Sequence, residues 1–333
     1  MSDVENSIEA AGNTLLSIKE ELKKFMVGQD AVIDQVLIGV IAGGHVLLEG
    51  LPGLGKTMLI KKISEVLDLK FSRIQFTPDL MPADITGTHM VQPDEQGKQK
   101  FVFHEGPLFT NILLADEINR ATPKTQSALL EAMAEKTVTA LGEERKLSEP
   151  FFVLATQNPI ELEGTYPLPE AQLDRFLLKA DVAYPSASEL KEIARRTTGN
   201  DIGSLQQKAD AHFILSMREL SKQLLVSEHV MDYAVSLLMA AHPEEQNASD
   251  LAKKYVRYGP GPRGLQGLIS AARVRAIEYG RVHVSKEDIK AFAKPVLRHR
   301  LFLNFEGQAE EINPDLIIDE MIMVADQKAV GNV

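Results

Sequence analysis

The sequence predicts an α/β domain followed by an all-helical domain. Five short apolar runs alternate with helical patterns, which is typical of a parallel sheet covered by helices. Two stretches with polar turns interrupt this alternation and are expected to be inserted β-hairpins. After Pro185 the strand signal fades and helical patterns dominate. Because 333 residues suit about two domains, we expect an α/β domain over residues 1–185 and a helical domain over residues 186–333.

The predicted elements begin with two helices. An amphipathic helix is expected over residues 1–26, and a second over residues 31–41, which Gly43 and Gly44 end. The five strands are expected at residues 45–49, 71–76, 111–115, 151–155 and 176–182. The hairpins are expected at residues 87–103, turning at 94–97, and at residues 136–147, turning at 141–144. Further helices are expected at residues 125–134 and, beyond the boundary, at 187–197, 214–225, 228–241, 265–279 and 286–301.

Composition excludes several classes of protein. The chain has 36 Lys and Arg against 47 Asp and Glu, a formal charge of −11, and 44% hydrophobic residues, as in ordinary globular proteins and unlike disordered ones. It has no cysteine, which excludes disulfides, thiolate nucleophiles and cysteine metal sites. The sequence contains no apolar run long enough for a membrane span and no apolar signal core near its acidic N-terminus. We therefore expect a cytoplasmic protein.

A glycine-rich loop carries the strongest chemical signal. Gly50-Leu51-Pro52-Gly53-Leu54-Gly55-Lys56-Thr57 fits the pattern G-x-x-x-x-G-K-[ST] in full and lies between a predicted strand and a predicted helix. Glycines let backbone N–H groups surround phosphate oxygens, and the helix N-terminus adds positive potential. Lys56 is expected to reach the β- and γ-phosphates of ATP, and Thr57 to offer its hydroxyl to Mg²⁺.

Two acids end the third predicted strand, in the sequence Ile112-Leu113-Leu114-Ala115-Asp116-Glu117. Ligands of open α/β sheets lie beyond the carboxyl ends of the strands. Asp116 is therefore expected to hold Mg²⁺, usually through water, and Glu117 to orient and polarise the attacking water. Without the phosphate loop, helix capping by either acid would be an equal interpretation.

Three further polar residues are candidates, and spacing alone leaves each of them open. Asn158 follows a predicted strand and could position water near the γ-phosphate, or form a turn before Pro159. Arg175 precedes the last strand and could stabilise charge on the transferred phosphoryl group, although spacing alone favours an ion pair, for example with Asp174. Arg263 begins a helix of the second domain and could reach phosphates across a cleft.

These residues together resemble the MoxR group of AAA+ ATPases, in the clade with a helix-2 insert. The resemblance runs from about Val27 to Leu301. The matching stretches are VGQ at 27–29, GLPGLGKT at 50–57, LADEINRA at 114–121, QSALLEAM at 126–133, ATQNPI at 155–160, EGTYPLPEAQLDRF at 163–176 and VLRHRL at 296–301.

The resemblance implies a P-loop AAA+ nucleotide-binding domain and a helical lid, with ATP at their junction and at a subunit interface of a ring, typically a hexamer. The stretch from Gly50 to Thr57 matches Walker A, so Gly50, Pro52, Gly53, Leu54 and Gly55 would surround the phosphates together with Lys56 and Thr57. Asp116 and Glu117 match Walker B. The two hairpins match the helix-2 insert and the pre-sensor-1 hairpin.

The remaining roles are also implied by the resemblance. Asn158 matches sensor 1. Arg175 matches the arginine finger, which acts on the ATP of the neighbouring subunit, and Arg263 matches sensor 2, expected to act in cis from the lid. Gly28 and Gln29 lie where chains of the family pass the adenine, and Arg120 is a candidate interface arginine. One departure is Gly261 before Pro262 and Arg263, where the family usually has serine.

The target of the motor is less clearly specified. Members of this group resemble chaperones that mature other proteins, often with partners that carry a von Willebrand factor A domain, and we expect this role. One rival class is a nucleic-acid motor, because residues 255–300 carry ten Lys and Arg against three acids. Acidic Glu143 and Glu144 at the second hairpin tip, and the lack of an aromatic platform, count against it. Another rival is a slow ATP-dependent scaffold or switch.

Overall fold

The computed structural model describes residues 3–93, 95, 98–140, 142–158, 164–198 and 204–331. Some positions named above lie outside this part of the chain: Asp94, Gln96, Gly97, Leu141, Pro159, Ile160, Glu163 and the outermost residues of the two predicted domains.

A five-stranded parallel sheet is present where it was predicted. In chain order, the strands of the described residues are β1 His45–Glu49, β2 Phe71–Gln75, β3 Gly87–Pro93, β4 Gln99–Glu105, β5 Ile112–Asp116, β6 Thr137–Ala140, β7 Glu143–Lys146, β8 Phe152–Gln157, β9 Phe176–Asp181, β10 Val256–Tyr258 and β11 Phe302–Leu303. The parallel sheet has the order β2-β5-β8-β1-β9. All its carboxyl ends therefore lie at one edge, which we call the carboxyl edge, and its amino ends at the opposite amino edge.

Helices surround this sheet and make up most of the second half of the chain. They are α1 Asp3–Lys23, α2 Asp30–Ala42, α3 Lys56–Val66, α4 Pro82–Thr86, α5 Pro123–Glu135, α6 Glu170–Leu173, α7 Ala187–Thr198, α8 Ala211–Gln223, α9 Glu228–Met239, α10 Asp250–Tyr255, α11 Pro262–Glu278, α12 Lys286–Leu297, α13 Phe305–Ala309 and α14 Pro314–Gly331. The second half is helical, as predicted, but it also contains the small antiparallel pair β10–β11. The sequence analysis missed α10, α13 and α14. The boundary near Pro185 stays a prediction.

Apolar side chains of the strands fill a core on each face of the sheet, because successive strand residues point to opposite faces. Val46 and Leu48 of β1 belong to one cluster, which continues through α1, α2 and α3 into the helices of the second half. Leu47 belongs to the other, under α5. The continuous first cluster means that the helical half packs directly on the α/β half.

The last strand of the sheet, β9, has its free edge covered by the segment after α12. The His299 ring nitrogen Nε2 lies 3.0 Å from the Phe176 carbonyl oxygen. Arg300 donates from Nη2 to the same oxygen at 2.7 Å and from Nη1 to the Leu177 oxygen at 3.2 Å. An exposed strand edge invites pairing with other chains, and these side chains satisfy its carbonyl groups. These contacts give His299 and Arg300, in the stretch VLRHRL at 296–301, a structural role.

Both predicted hairpins are present, as β3–β4 and β6–β7, and they touch each other. The Arg145 guanidinium lies 4.0 Å from the centre of the Phe103 ring, a cation–π contact. Phe101, opposite Val91 in the first hairpin, is 71% exposed. The insert therefore presents an apolar surface next to its turn.

Within the described residues, no helix is both long and apolar enough to cross a membrane.

Candidate nucleotide site

The glycine-rich loop joins the carboxyl end of β1 to the first turn of α3. Gly53 and Gly55 have φ values of 80° and 77°, in the left-handed region that favours glycine. Because α3 begins at Lys56, the backbone N–H groups of its first turn have no partner within the helix. This is the geometry of an anion site at a helix N-terminus.

Lys56 extends back along the loop that precedes it. Its Nζ atom donates to the Gly50 carbonyl oxygen at 2.7 Å. Burial lowers the pKa of Lys56, and the nearby carboxylates of Asp116, Glu117 and Glu49 oppose that shift. The partly buried ammonium group of Lys56 is therefore well placed to contact the oxygens of a phosphate bound in the loop.

The two acids after β5 are held by Thr156, at the carboxyl end of the neighbouring strand β8. The Thr156 hydroxyl donates to Asp116 Oδ1 at 2.7 Å and accepts from the Glu117 backbone N–H at 2.9 Å. Glu117 has a φ of 58°, which turns the chain sharply after the strand. Thr156 therefore fixes the relative position of the two acids, a role that the sequence analysis missed.

Two side chains of β2 also contact the acids, and the sequence analysis missed both. Arg73 donates from Nη2 to Asp116 Oδ2 at 2.7 Å. Gln75 donates from Nε2 to Glu117 Oε2 at 2.8 Å, and Arg120 pairs with the same oxygen at 3.1 Å. Arg73 and Gln75 are two residues apart in a strand and so share a face. That alternation is visible in the sequence, but the adjacency of β2 and β5 is not.

The loop, the acids and Asn158 line one cavity of about 430 Å³ at the carboxyl edge. Its lining residues are Pro52, Gly53, Gly55, Lys56, Thr57, Met58, Arg73, Asp116, Glu117 and Asn158. A Cβ atom at Gly53 would meet nothing within 4 Å, so the loop leaves open space. A hydroxyl and a carboxylate are oxygen ligands of the kind that Mg²⁺ uses together with substrate phosphates. The residues present therefore fit a nucleotide triphosphate with Mg²⁺.

Gly28 and Gln29 connect the start of α2 to this loop. Gln29 donates from Nε2 to the Leu54 carbonyl oxygen at 2.7 Å. Gly28 packs so closely on Glu189 that a Cβ atom would lie 2.2 Å from the carboxylate oxygen Oε1. These contacts join α2, the loop and α7, and the predicted adenine position beside Gly28 stays a prediction.

Arg175 and Arg263 do not lie in the phosphate cavity. Arg175 immediately precedes β9, so it is at the amino edge, and Arg263 lies beside it in a second cavity of about 320 Å³. Strands of five to six residues separate this edge from the loop, roughly 17–20 Å. The structure therefore places Arg263 away from the phosphate loop of its own chain, and the expected sensor 2 role of Arg263 stays a prediction.

Asp174 joins the arginines of the amino edge. Its Oδ2 atom lies 3.3 Å from Arg263 Nη1 and its Oδ1 atom accepts from Arg300 Nε at 2.8 Å. Arg175 itself donates from Nη1 to the Leu130 carbonyl oxygen at 2.6 Å. The ion pair between Asp174 and Arg175 that spacing suggested is replaced by these contacts. Gly261 is the N-cap residue of α11. Because glycine has no side chain, it cannot supply the capping hydrogen bond that a serine at this position could make.

Comparison with known proteins agrees with this geometry. Residues 45–178 match the model of the ATPase family associated with various cellular activities (AAA), and residues 248–321 match the AAA lid domain. The chain is 43% identical over 302 residues to Chaperone MoxR1 of Mycobacterium tuberculosis, covering 91% of this chain and 79% of that protein. It is 31% identical over 318 residues to Protein MoxR of Methylorubrum extorquens, covering 90% and 91%.

A solved structure has the same fold. The crystal structure of a Cytophaga hutchinsonii protein described as a candidate ATPase aligns with a TM-score of 0.89 and 39% identity. The alignment covers 96% of each chain. With its phosphate loop, its acidic strand end and its lid, this chain belongs to the MoxR family of AAA+ ATPases.

Proposed function

We propose that this protein hydrolyses ATP with Mg²⁺ at subunit interfaces of a ring and uses the energy for chaperone-like maturation or remodelling of partner proteins. The observation that carries the proposal is the single cavity that brings Lys56 and Thr57 together with Asp116, Glu117 and Asn158. These are the groups that bind, orient and cleave a terminal phosphate in P-loop ATPases.

The chain's own residues divide the chemistry among them. Backbone N–H groups of the loop and Lys56 bind the phosphates, and Thr57 and Asp116 would hold Mg²⁺, Asp116 through water. When bound, Mg²⁺ neutralises charge on the phosphate oxygens. Glu117 orients a water molecule and takes its proton while the water oxygen bonds to the γ-phosphorus. The bond from that phosphorus to the bridging oxygen breaks, and ADP leaves. Asn158 positions the water or the γ-phosphate.

Lys56 and Arg73 are the cations among the residues that line the cavity of one chain, and Arg73 is paired with Asp116, so a further cation near the γ-phosphate would add to the stabilisation of the charge that develops there. Arg175 and Arg263 are such cations, but they lie at the amino edge of their own chain. We infer that they act together on the ATP of a neighbouring subunit. A closed ring, a hexamer by family resemblance, gives every site this contribution.

The client is proposed to be a protein. The relative from M. tuberculosis carries the name chaperone, which supports this role, and a partner with a von Willebrand factor A domain is part of the same expectation. We also keep the cytoplasm as the expected location, and the division into residues 1–185 and 186–333 as the expected domains.

The basic segment 255–300 does not support a nucleic-acid motor. Seven of its ten Lys and Arg residues form ion pairs within the chain, namely Arg263, Arg275, Arg281, Lys290, Lys294, Arg298 and Arg300. Carboxylates of the same chain therefore offset much of the positive charge that the segment would present to a nucleic-acid backbone. The other alternative, a slow ATP-dependent scaffold or switch, would use the same nucleotide site and would differ in how fast ATP is hydrolysed.

A trapping experiment tests the proposal. Glu117→Gln should keep ATP binding and lose about 10²–10⁴-fold in hydrolysis, because it removes the general base. Lys56→Ala should lose nucleotide binding and serves as the matched control. With ATP, the Glu117→Gln chain should retain a specific protein from native lysate that Lys56→Ala does not retain, and nuclease should leave that complex intact.

Two results would contradict the proposal. Wild-type hydrolysis by Glu117→Gln would remove the assigned base. Loss of the trapped complex on nuclease treatment would favour the nucleic-acid motor instead.

A further inference from the structure

The second strand places a cation on the acid assigned to the metal. Arg73 lies opposite Leu114 in the parallel pair β2–β5, and Gln75 lies opposite Asp116. From this position the Arg73 guanidinium donates from Nη2 to Asp116 Oδ2 at 2.7 Å and to Gln75 Oε1 at 2.6 Å. Arg73 also lines the phosphate cavity. It therefore belongs to the site by position, although no role has been assigned to it above.

Both carboxylate oxygens of Asp116 have a partner within the chain. Oδ1 accepts from the Thr156 hydroxyl, and that contact also fixes the Glu117 backbone through the same hydroxyl. Oδ2 is held by Arg73. The Thr156 contact leaves the negative charge of Asp116 for a cation, whereas the guanidinium on Oδ2 offsets that charge and takes one of the two lone pairs of this oxygen.

We propose that Arg73 is a built-in counter-ion that competes with the divalent metal for Asp116, a proposal that rests on the ATPase function above. While no metal is bound, Arg73 neutralises the carboxylate. Release of Arg73 from Oδ2 returns the full negative charge and both lone pairs of that oxygen to the metal or its water. Arg73 is thus a positioning residue that sets how much Mg²⁺ is needed to load the site.

The solvent exposure of Arg73 and Asp116 determines how strongly Arg73 competes with the metal. The Asp116 side chain is 14% exposed and the Arg73 side chain 46%, so the guanidinium can move into solvent without a large penalty. Ion pairs with one exposed partner are weak and salt-sensitive. We therefore expect Arg73 to raise the Mg²⁺ requirement by about three- to fivefold.

Departure of Arg73 also changes the surroundings of the general base. The Gln75 amide accepts from Arg73 at one end and donates to Glu117 Oε2 at the other. When Arg73 leaves, Gln75 loses the partner that fixes its orientation. Metal loading at Asp116 is thereby coupled to the contact that holds Glu117.

The test is a Mg²⁺ titration of the binding of a fluorescent, non-hydrolysable ATP analogue, without any measurement of turnover. Arg73→Ala should reach half-maximal binding at about three- to fivefold lower free Mg²⁺ than wild type, and the difference should shrink at high salt. In an Asp116→Asn background, Arg73→Ala should have no effect on this midpoint. Arg257→Ala, which removes an exposed arginine that lies over Tyr258, is the matched control and should leave the midpoint unchanged.

The outcomes separate this inference from the function on which it rests. An unchanged or higher Mg²⁺ midpoint in Arg73→Ala, with normal nucleotide binding by wild type, would overturn the competition alone. An equal decrease in the Asp116→Asn background would also overturn it, since the effect would then be a general loss of positive charge. Failure of the wild-type chain to bind the analogue at any Mg²⁺ concentration would overturn the proposed function and this inference with it.

Discussion

The two edges of the parallel sheet differ in what a single chain can complete. At the carboxyl edge, the loop, Asp116 and Glu117 share one cavity, so the groups assigned to phosphate and metal binding are assembled within one chain. At the amino edge, Arg175 and Arg263 line a cavity with no phosphate loop. Under the proposed function, the two edges would be the two halves of one site, which two neighbouring chains would join.

The edges also differ in how far their arginines are buried. At the carboxyl edge, the Arg73 side chain is 46% exposed. At the amino edge Arg300 is 3% exposed and binds Asp174 together with carbonyl groups of β9. Arg263 pairs with the other oxygen of Asp174 and is 59% exposed in its side chain. At the amino edge, the buried Arg300 thus supports two exposed arginines, Arg175 and Arg263.

The largest expected effect comes from removing the arginine that is assigned to the neighbour's site. Arg175→Ala should lower kcat by about 10³–10⁵-fold, because a trans-acting arginine stabilises charge on the γ-phosphate. ATP binding should be preserved, since Arg175 does not line the phosphate cavity. Steady-state hydrolysis and analogue binding check the two halves of this prediction, with Arg257→Ala as the control.

A strong loss of ATP binding in Arg175→Ala would contradict this comparison of the edges, because it would mean that Arg175 belongs to the site of its own chain.

The second expected effect is on the stability of the amino edge and depends on the buried His45. His45 begins β1, where its Nε2 lies 3.1 Å from the Met133 carbonyl oxygen and its Nδ1 accepts from the Val153 N–H at 3.0 Å. Because Nδ1 is an acceptor, the ring is held neutral. Burial lowers the pKa of His45 to about 4, and the hydrogen bond to the Met133 carbonyl opposes that shift.

This shift makes folding sensitive to acid. The unfolded chain binds a proton on His45 below about pH 6.5, whereas the folded chain resists protonation until about pH 4, so stability falls as the pH falls through this window. From about pH 7 to pH 5, His45 alone should lower the free energy of unfolding by about 2 kcal/mol. Urea unfolding at both pH values should show a smaller loss for His45→Gln. The buried His299, whose pKa burial also lowers, should account for part of the pH dependence that remains in His45→Gln. If the free energy of unfolding of His45→Gln depended on pH as strongly as that of wild type, His45 would not titrate in this range.

Local sequence patterns were enough to predict the elements that depend on local chemistry. The strand before Gly50, the loop itself and the acids at 116 and 117 follow from burial on both faces of the sheet and from the phosphate-loop pattern. The two hairpins were predicted because polar turns separate their strands. Tertiary contacts alone determine that α14 packs beside α9 and that β10 pairs with β11. Of these elements, α9 was predicted, whereas α14, β10 and β11 were not.

The site was predicted least well where partners come from distant elements. Thr156, Arg73 and Gln75 contact the acids only because β2 and β8 flank β5, and strand order is not a local property. The position of Arg263 at the amino edge could not be predicted for a similar reason. Its motif identifies the start of a lid helix, but the direction from which the lid approaches is set by packing of α11 against α1 and α2.

The most direct test of the shared site is to mix two inactive chains. Arg175→Ala keeps an intact phosphate cavity, and Lys56→Ala keeps an intact amino edge, so a mixed ring can contain an interface with both functional halves. The account predicts that hydrolysis recovers in the mixture well above the sum of the two separate activities, under conditions where size measurements show assembly. Mixed assemblies that stay as inactive as their components would contradict it.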